Sequence, residues 1–205
     1  AVCERKVLVV DAPRGTPREM AAVDLSDCIE RFDDERLTYL AARGLPLRHV
    51  DARGSCERFL HALADAAPDA GVIVVHAEAS EIGRIFARRA PRPVLLAADH
   101  PASVTAAYAN LKLLAQRFHL MAFDLLLVAA ANSPRTPRIA EQLALTADRF
   151  AGAALHDWAA IDPAAQSGQA EPTRALLRLA HALLADPPQA AAPMAAASAV
   201  LPALS

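Results

Sequence analysis

The sequence predicts an α/β protein, a mostly parallel sheet with helices on both faces. Three observations carry that prediction. Continuous apolar runs recur at Lys6–Val10, Gly71–Val75, Val94–Ala98 and Phe123–Ala129, each of strand length. Each is ended by a polar or proline-containing break, and the last three lead into stretches of helical period. The interior is rich in Ala, with 54% hydrophobic but only 4% aromatic residues, which suits helices packed closely on a sheet.

In chain order, K-V-L-V-V is a strand that stops at Asp11-Ala12-Pro13-Arg14-Gly15, a loop with two breakers. Residues 17–31 give no clear pattern. Asp33 can cap a helix over residues 34–43, with Gly44 ending it. Leu45–Val50 reads as a second strand. After a loop at residues 51–54, Ser55 can cap a helix through Ala66. G-V-I-V-V at residues 71–75 is the most strand-like run, β-branched through its middle. It ends at His76, and a helix follows to Ala90 with Ile82, Ile85 and Phe86 inward.

Val94–Ala98 is the organising strand. Asp99, His100 and Pro101 break it, and Val104, Tyr108, Leu111 and Leu114 then mark one stripe of a long helix. In parallel sheets ligands bind where strand carboxyl ends meet helix amino ends, so residues 99–103 are the first place to look for function. Residues 123–129 form another strand, with Asn132, Ser133 and Pro134 in its exit loop, and a helix covers residues 137–150. A short strand at residues 153–155 precedes His156-Asp157-Trp158. Pro172 opens a last helix over residues 173–184. Residues 1–185 make one domain, and residues 186–205, an Ala/Pro-rich tail without Lys or Arg, are expected to be disordered.

The 205 residues carry 21 basic and 23 acidic side chains, so nothing pulls the chain toward nucleic acid. Cys3, Cys28 and Cys56 are odd in number and lack C-x-x-C spacing, which points to a reducing cytoplasm and neither a disulfide frame nor a metal site. No apolar run approaches the roughly 20 residues of a membrane span. The start, A-V-C-E-R-K, is no signal peptide; it lacks Met and leads straight into a strand, as a chain trimmed upstream would.

The string Pro101-Ala102-Ser103-Val104-Thr105-Ala106-Ala107-Tyr108-Ala109-Asn110-Leu111-Lys112 resembles the P-T-S-x-T-D-A-Y-x-x-x-K segment of FlhG (FleN) proteins. These are MinD/ParA-like ATPases of the deviant Walker A class that regulate flagellar number and placement. Lys6–Gly15 is similar to the family's V-L-V-V-D-A-D-x-G strand and loop. Residues 71–80 occupy the place of its switch strand, 123–128 of its L-L-V-N strand, and 176–184 of its closing helix.

The resemblance implies a P-loop NTPase architecture of MinD type without its first strand and phosphate loop, since no K-G-G-x-G-K-T stretch occurs. It matches Asp11, Asn132, Pro101 and Ser103 to nucleotide-binding positions. It places Pro13 on the family's second Asp, His76 on the switch Asp and Ser80 on the switch Gly, so the hydrolytic groups are altered. The implied function is that of a degenerate regulatory module, without catalytic residues or a metal of its own, acting on protein partners of flagellar or polar assemblies and admitting a homodimer. Cofactors are not expected; ATP with Mg²⁺ enters only if a phosphate loop lies upstream, which would make the chain the later part of an ATP-binding dimeric switch.

Each candidate also has a plainer reading. Asp11 and Asn132 are ordinary turn-formers. His76 can bond a neighbouring loop or pair with Glu78, and Ser103 can cap its helix. A small-molecule enzyme built on His76 or on Asp99-His100 is disfavoured, because adjacent residues rarely aim at one atom and no nucleophile motif such as G-x-S-x-G is present.

Overall fold

In the computed structural model, residues 5–15, 24–32, 36–130, 133–165, 171–185 and 189–190 are described. The protein is α/β with a mostly parallel strand arrangement. Strand β1 (Val7–Asp11) pairs in parallel with β3 (Leu37–Ala41) on one side and β4 (Val72–His76) on the other. Strand β2 (Ile29–Arg31) closes the outer edge antiparallel to β3, giving the order β2-β3-β1-β4. Leu8, Val10 and Leu40 point to the face covered by Phe59 and Leu63 of α1 (Glu57–Ala66) and Ile85 of α2 (Ala79–Ile85). All six are fully buried.

After α2 comes a two-residue strand, β5 (Arg89–Ala90), and then a second sheet. Here β6 (Val94–Ala98), β7 (Ala122–Val128) and β8 (Ala154–Ile161) run parallel in that order. Helices α3 (Pro101–Phe118) and α4 (Thr136–Ala151) cover one face, packing Leu111, Leu114 and Leu143 on Leu95, Phe123, Leu125 and Leu127. Helix α5 (Arg174–Ala185) packs on β8. Arg178 grips Asp157 there, while Trp158 and Ala160 turn toward the α3–α4 core, so α5 lies on the opposite face. Helices thus flank both faces at β8, whereas α1 and α2 share one face of the first sheet. Gly152 ends α4 at φ 61, with its own and the next N–H returning to Asp148 and Ala147 carbonyls, a closure that favours a residue without Cβ.

Several local expectations are corrected. Residues 37–41, expected inside a helix, form β3. Leu37, Leu40 and Ala41 have helical spacing, but pairing with β1 buries Leu40 and lets Thr38 Oγ1 donate to the Val7 carbonyl at 3.2 Å. Asp33, the expected cap, lies outside the described residues. Leu45–Val50, expected as a strand, is a 3₁₀ turn over Leu45–His49. Pro46 offers no ladder donor there, and Gly44 opens the turn at φ 67 instead of ending a helix. The helix expected to reach Ala90 stops at Ile85, and Arg89–Ala90 pair with β9 (Gln189–Ala190). The strand expected at 153–155 extends to Ile161 because β7 pairs along its length.

The Arg178–Asp157 contact has a pH consequence. Arg178 Nη2 and Nε donate to Asp157 at 2.6 and 2.8 Å. That guanidinium, ahead of the Trp158 N–H, holds the Asp157 carboxyl below its ordinary value. A depressed folded-state pKa contributes stability that is present above the unfolded pKa and is lost as pH falls through the folded one. Asp157→Asn is therefore expected to be less stable than the parent at neutral pH. In urea titrations the difference should begin to shrink as pH falls through about 4, the unfolded carboxylate value, and close only below the lower folded-state pKa.

Candidate functional site

The carboxyl ends of the first sheet bring three side chains together. Parallel register sets Asp11 opposite His76, one on β1 and one on β4. His76 Nδ1 donates to Asp11 Oδ1 at 2.7 Å. The Tyr39 hydroxyl, on β3, donates to Asp11 Oδ2 at 3.2 Å. Both carboxylate oxygens are thus engaged. Desolvation, and then the Asp11 charge, pushes the Tyr39 hydroxyl above its ordinary pKa. Tyr39 is absent from the sequence-derived candidates because its segment carries a helical spacing; β-propensity at T-Y was the available signal.

Pro13 follows this rim and contributes only its carbonyl, which accepts from Gly44 N at 3.1 Å. Ser80 lies half-buried in the first turn of α2. Glu78 is exposed beside it, and His76 takes Asp11, not Glu78, as its partner. Mg²⁺ demands oxygen ligands in near-octahedral array. A rim of one carboxylate already bonded twice, an imidazole and a proline does not fit it.

A second cluster sits at the carboxyl ends of β6 and β7. Asp99 N bonds the Val128 carbonyl at 3.2 Å, Ser133 Oγ donates to Asp99 Oδ2 at 2.5 Å, and Arg135 Nη1 lies 3.8 Å from Oδ1. His100 turns elsewhere: its Nδ1 accepts from Ala102 N at 3.3 Å, capping α3. Asp99 and His100 therefore do not form a dyad. Ser103 is not the cap; its Oγ accepts from Ala98 N at 2.8 Å and ties the helix to the strand end. Pro101 occupies the first position of α3, where its missing N–H costs nothing. Asn132 lies outside the described residues.

Between the first turns of α3 and α4 an open cleft of about 650 Å³ is lined by Asp99, His100, Val104, Arg135, Arg138 and Ile139. Arg135 and Arg138, which sequence reasoning missed, give it cationic character. A run of four other arginines, Arg84, Arg88, Arg89 and Arg92, is spent on structure. Arg84 pairs with Glu81, Arg88 with Asp51 and Glu57, Arg89 with Glu57, and Arg92 with Asp124.

Among the described residues no group of three or more His, Cys, Asp or Glu side chains could hold a metal, and no helix is long and apolar enough to cross a membrane. No protein-family model matches the sequence, and no curated protein matches it.

Proposed function

We propose that this chain is a MinD/FlhG-like regulatory module that acts by binding other proteins and does not itself hydrolyse ATP. The observation that supports this reading is the closed Asp11–His76–Tyr39 group. The resemblance matches Asp11 to a nucleotide-binding position and His76 to the switch Asp that would hold a Mg²⁺ water, and an Asp with both oxygens bonded within the protein is poorly disposed to face a metal. The position that would orient the attacking water falls on Pro13, which brings no side-chain oxygen.

The test is phosphate release from ATP and Mg²⁺ by the intact protein with its natural amino terminus. The expected result is no turnover above a blank without protein. Turnover abolished by EDTA would end the proposal.

A second reading is favoured by a separate observation: β4 and β6 each leave one edge unpaired among the described strands. A strand and phosphate loop upstream of Ala1 would complete such a sheet and make the protein an ATP-binding switch. Calorimetric titration with ATP and Mg²⁺ separates the two readings. Saturable one-to-one binding supports the switch, and its absence supports the module.

A further inference from the structure

The cleft between the first turns of α3 and α4 opens on the second sheet, whereas Asp11, His76 and Tyr39 stand on the first. Its volume of about 650 Å³ falls within the range of small-molecule sites, roughly 300–1,000 Å³. One wall is apolar. Val104 and Ile139 are half-buried and packed against the core that α3 and α4 share, so that wall is in place before any ligand arrives.

Most polar groups on the lining are engaged within the chain. Asp99 Oδ2 accepts from Ser133 Oγ, and Thr105 Oγ1 donates to the Pro101 carbonyl at 3.0 Å. His100 Nδ1 accepts from Ala102 N at 3.3 Å, and Gln142 Nε2 donates to Thr146 Oγ1 at 3.4 Å. Arg138 is the exception: its guanidinium meets no carboxylate or other partner among the described residues. Arg135 Nη1 stands 3.8 Å from Asp99 Oδ1, too far for a hydrogen bond, so its donors are also to spare. Two guanidinium groups thus share the lining with one carboxylate, which leaves it positive. Neither arginine serves α4, because the helix dipole disfavours cations at that end.

We propose that this cleft binds a small organic anion, its carboxylate or phosphoryl head held by Arg138 and Arg135 and its apolar body laid on Val104 and Ile139. Guanidinium groups are donors without acceptors, which selects an anion over a cation. Their planar fork bonds a carboxylate or a phosphoryl group through two oxygens at once. The apolar wall selects a ligand with a ring or chain behind its head over a bare inorganic ion. The site goes beyond the protein-binding reading and stands or falls without it.

The probes are benzoate and phenyl phosphate, each titrated into the full chain and followed by backbone amide NMR shifts. The expected result is saturable shifts at Val104, Arg138 and Ile139. Benzyl alcohol has a ring without the charge, and inorganic phosphate has the charge without a ring. Each should bind at least about tenfold more weakly than the better probe. Arg138→Gln, at an exposed position, should weaken that probe by about tenfold, and Arg138→Lys, which keeps the charge but loses the fork, by less. Arg58→Gln, at an exposed position on α1 outside the cleft, should change nothing. Thermal melts of the variants separate loss of binding from loss of fold. Whichever anion binds more tightly names the head group. Four outcomes overturn the proposal: no saturable shift with either anion, equal shifts around arginines outside the cleft, benzyl alcohol binding as well as the anions, or undiminished binding by Arg138→Gln. None of them bears on ATP turnover, which the phosphate-release assay decides by itself.

Discussion

Arg92→Ala is expected to destabilise the protein by about 3–5 kcal/mol, the cost of leaving a buried carboxylate without its counter-charge. Asp124 is fully buried on β7, at the register shift between Phe123 and Asp124 where the strand meets β8. Arg92 Nε donates to its Oδ2 at 2.7 Å, and Asp157 N donates to its Oδ1 at 3.1 Å. Removing the guanidinium leaves one hydrogen bond for a charge that water cannot reach. In a chain of this size each kcal/mol is worth about 2–4 °C in Tm, so thermal unfolding would register the loss plainly. The control is the double variant Arg92→Met/Asp124→Leu. It removes both charges and should recover most of the loss, since a buried pair is often replaceable by apolar groups of like volume. An Arg92→Ala protein that melts with the parent would show that the pair carries no such weight.

Gly83→Ala is the second large effect, expected at about 1–3 kcal/mol of destabilisation, the range for overpacking a close contact. Gly83 is buried in α2, and an added Cβ would overlap the ring of Phe118 at the end of α3. Helix propensity alone predicts the opposite sign, because Ala is better than Gly in a helix by about 1 kcal/mol. The clash wins because the ring atoms lie across the whole approach of the new methyl. Phe118→Leu combined with Gly83→Ala should restore part of the loss by opening that space. Urea midpoints of the parent, the two single variants and the double variant give the coupling directly. A stabilised Gly83→Ala protein would mean that the two helices separate freely.

The candidate groups illustrate how far residues speak for themselves. Asp11 and His76 are each visible as polar ends of apolar runs, 65 positions apart. Nothing local says that they touch; the parallel register of β1 and β4 does. Tyr39 joins them only because residues 37–41 become a strand, and that choice was won by burial of Leu40 against β1 over a spacing that also suits a helix. Asp99 and His100 invite pairing by adjacency. The turn into α3 sends them apart, one to Ser133 and Arg135 and the other to its own helix amino end.

The sequence by itself determined the α/β class, the strands β1, β4, β6 and β7, and the long helices α3 and α4. A strand buried on both faces must be apolar throughout, and a helix beside it must be apolar along one stripe, so both leave a local pattern. Only the tertiary structure decided that residues 37–41 pair with β1, that residues 45–49 turn, and that β4 and β6 do not pair with each other. These depend on which distant backbone satisfies a short segment's hydrogen bonds, and that contact energy is written in no single stretch of the chain.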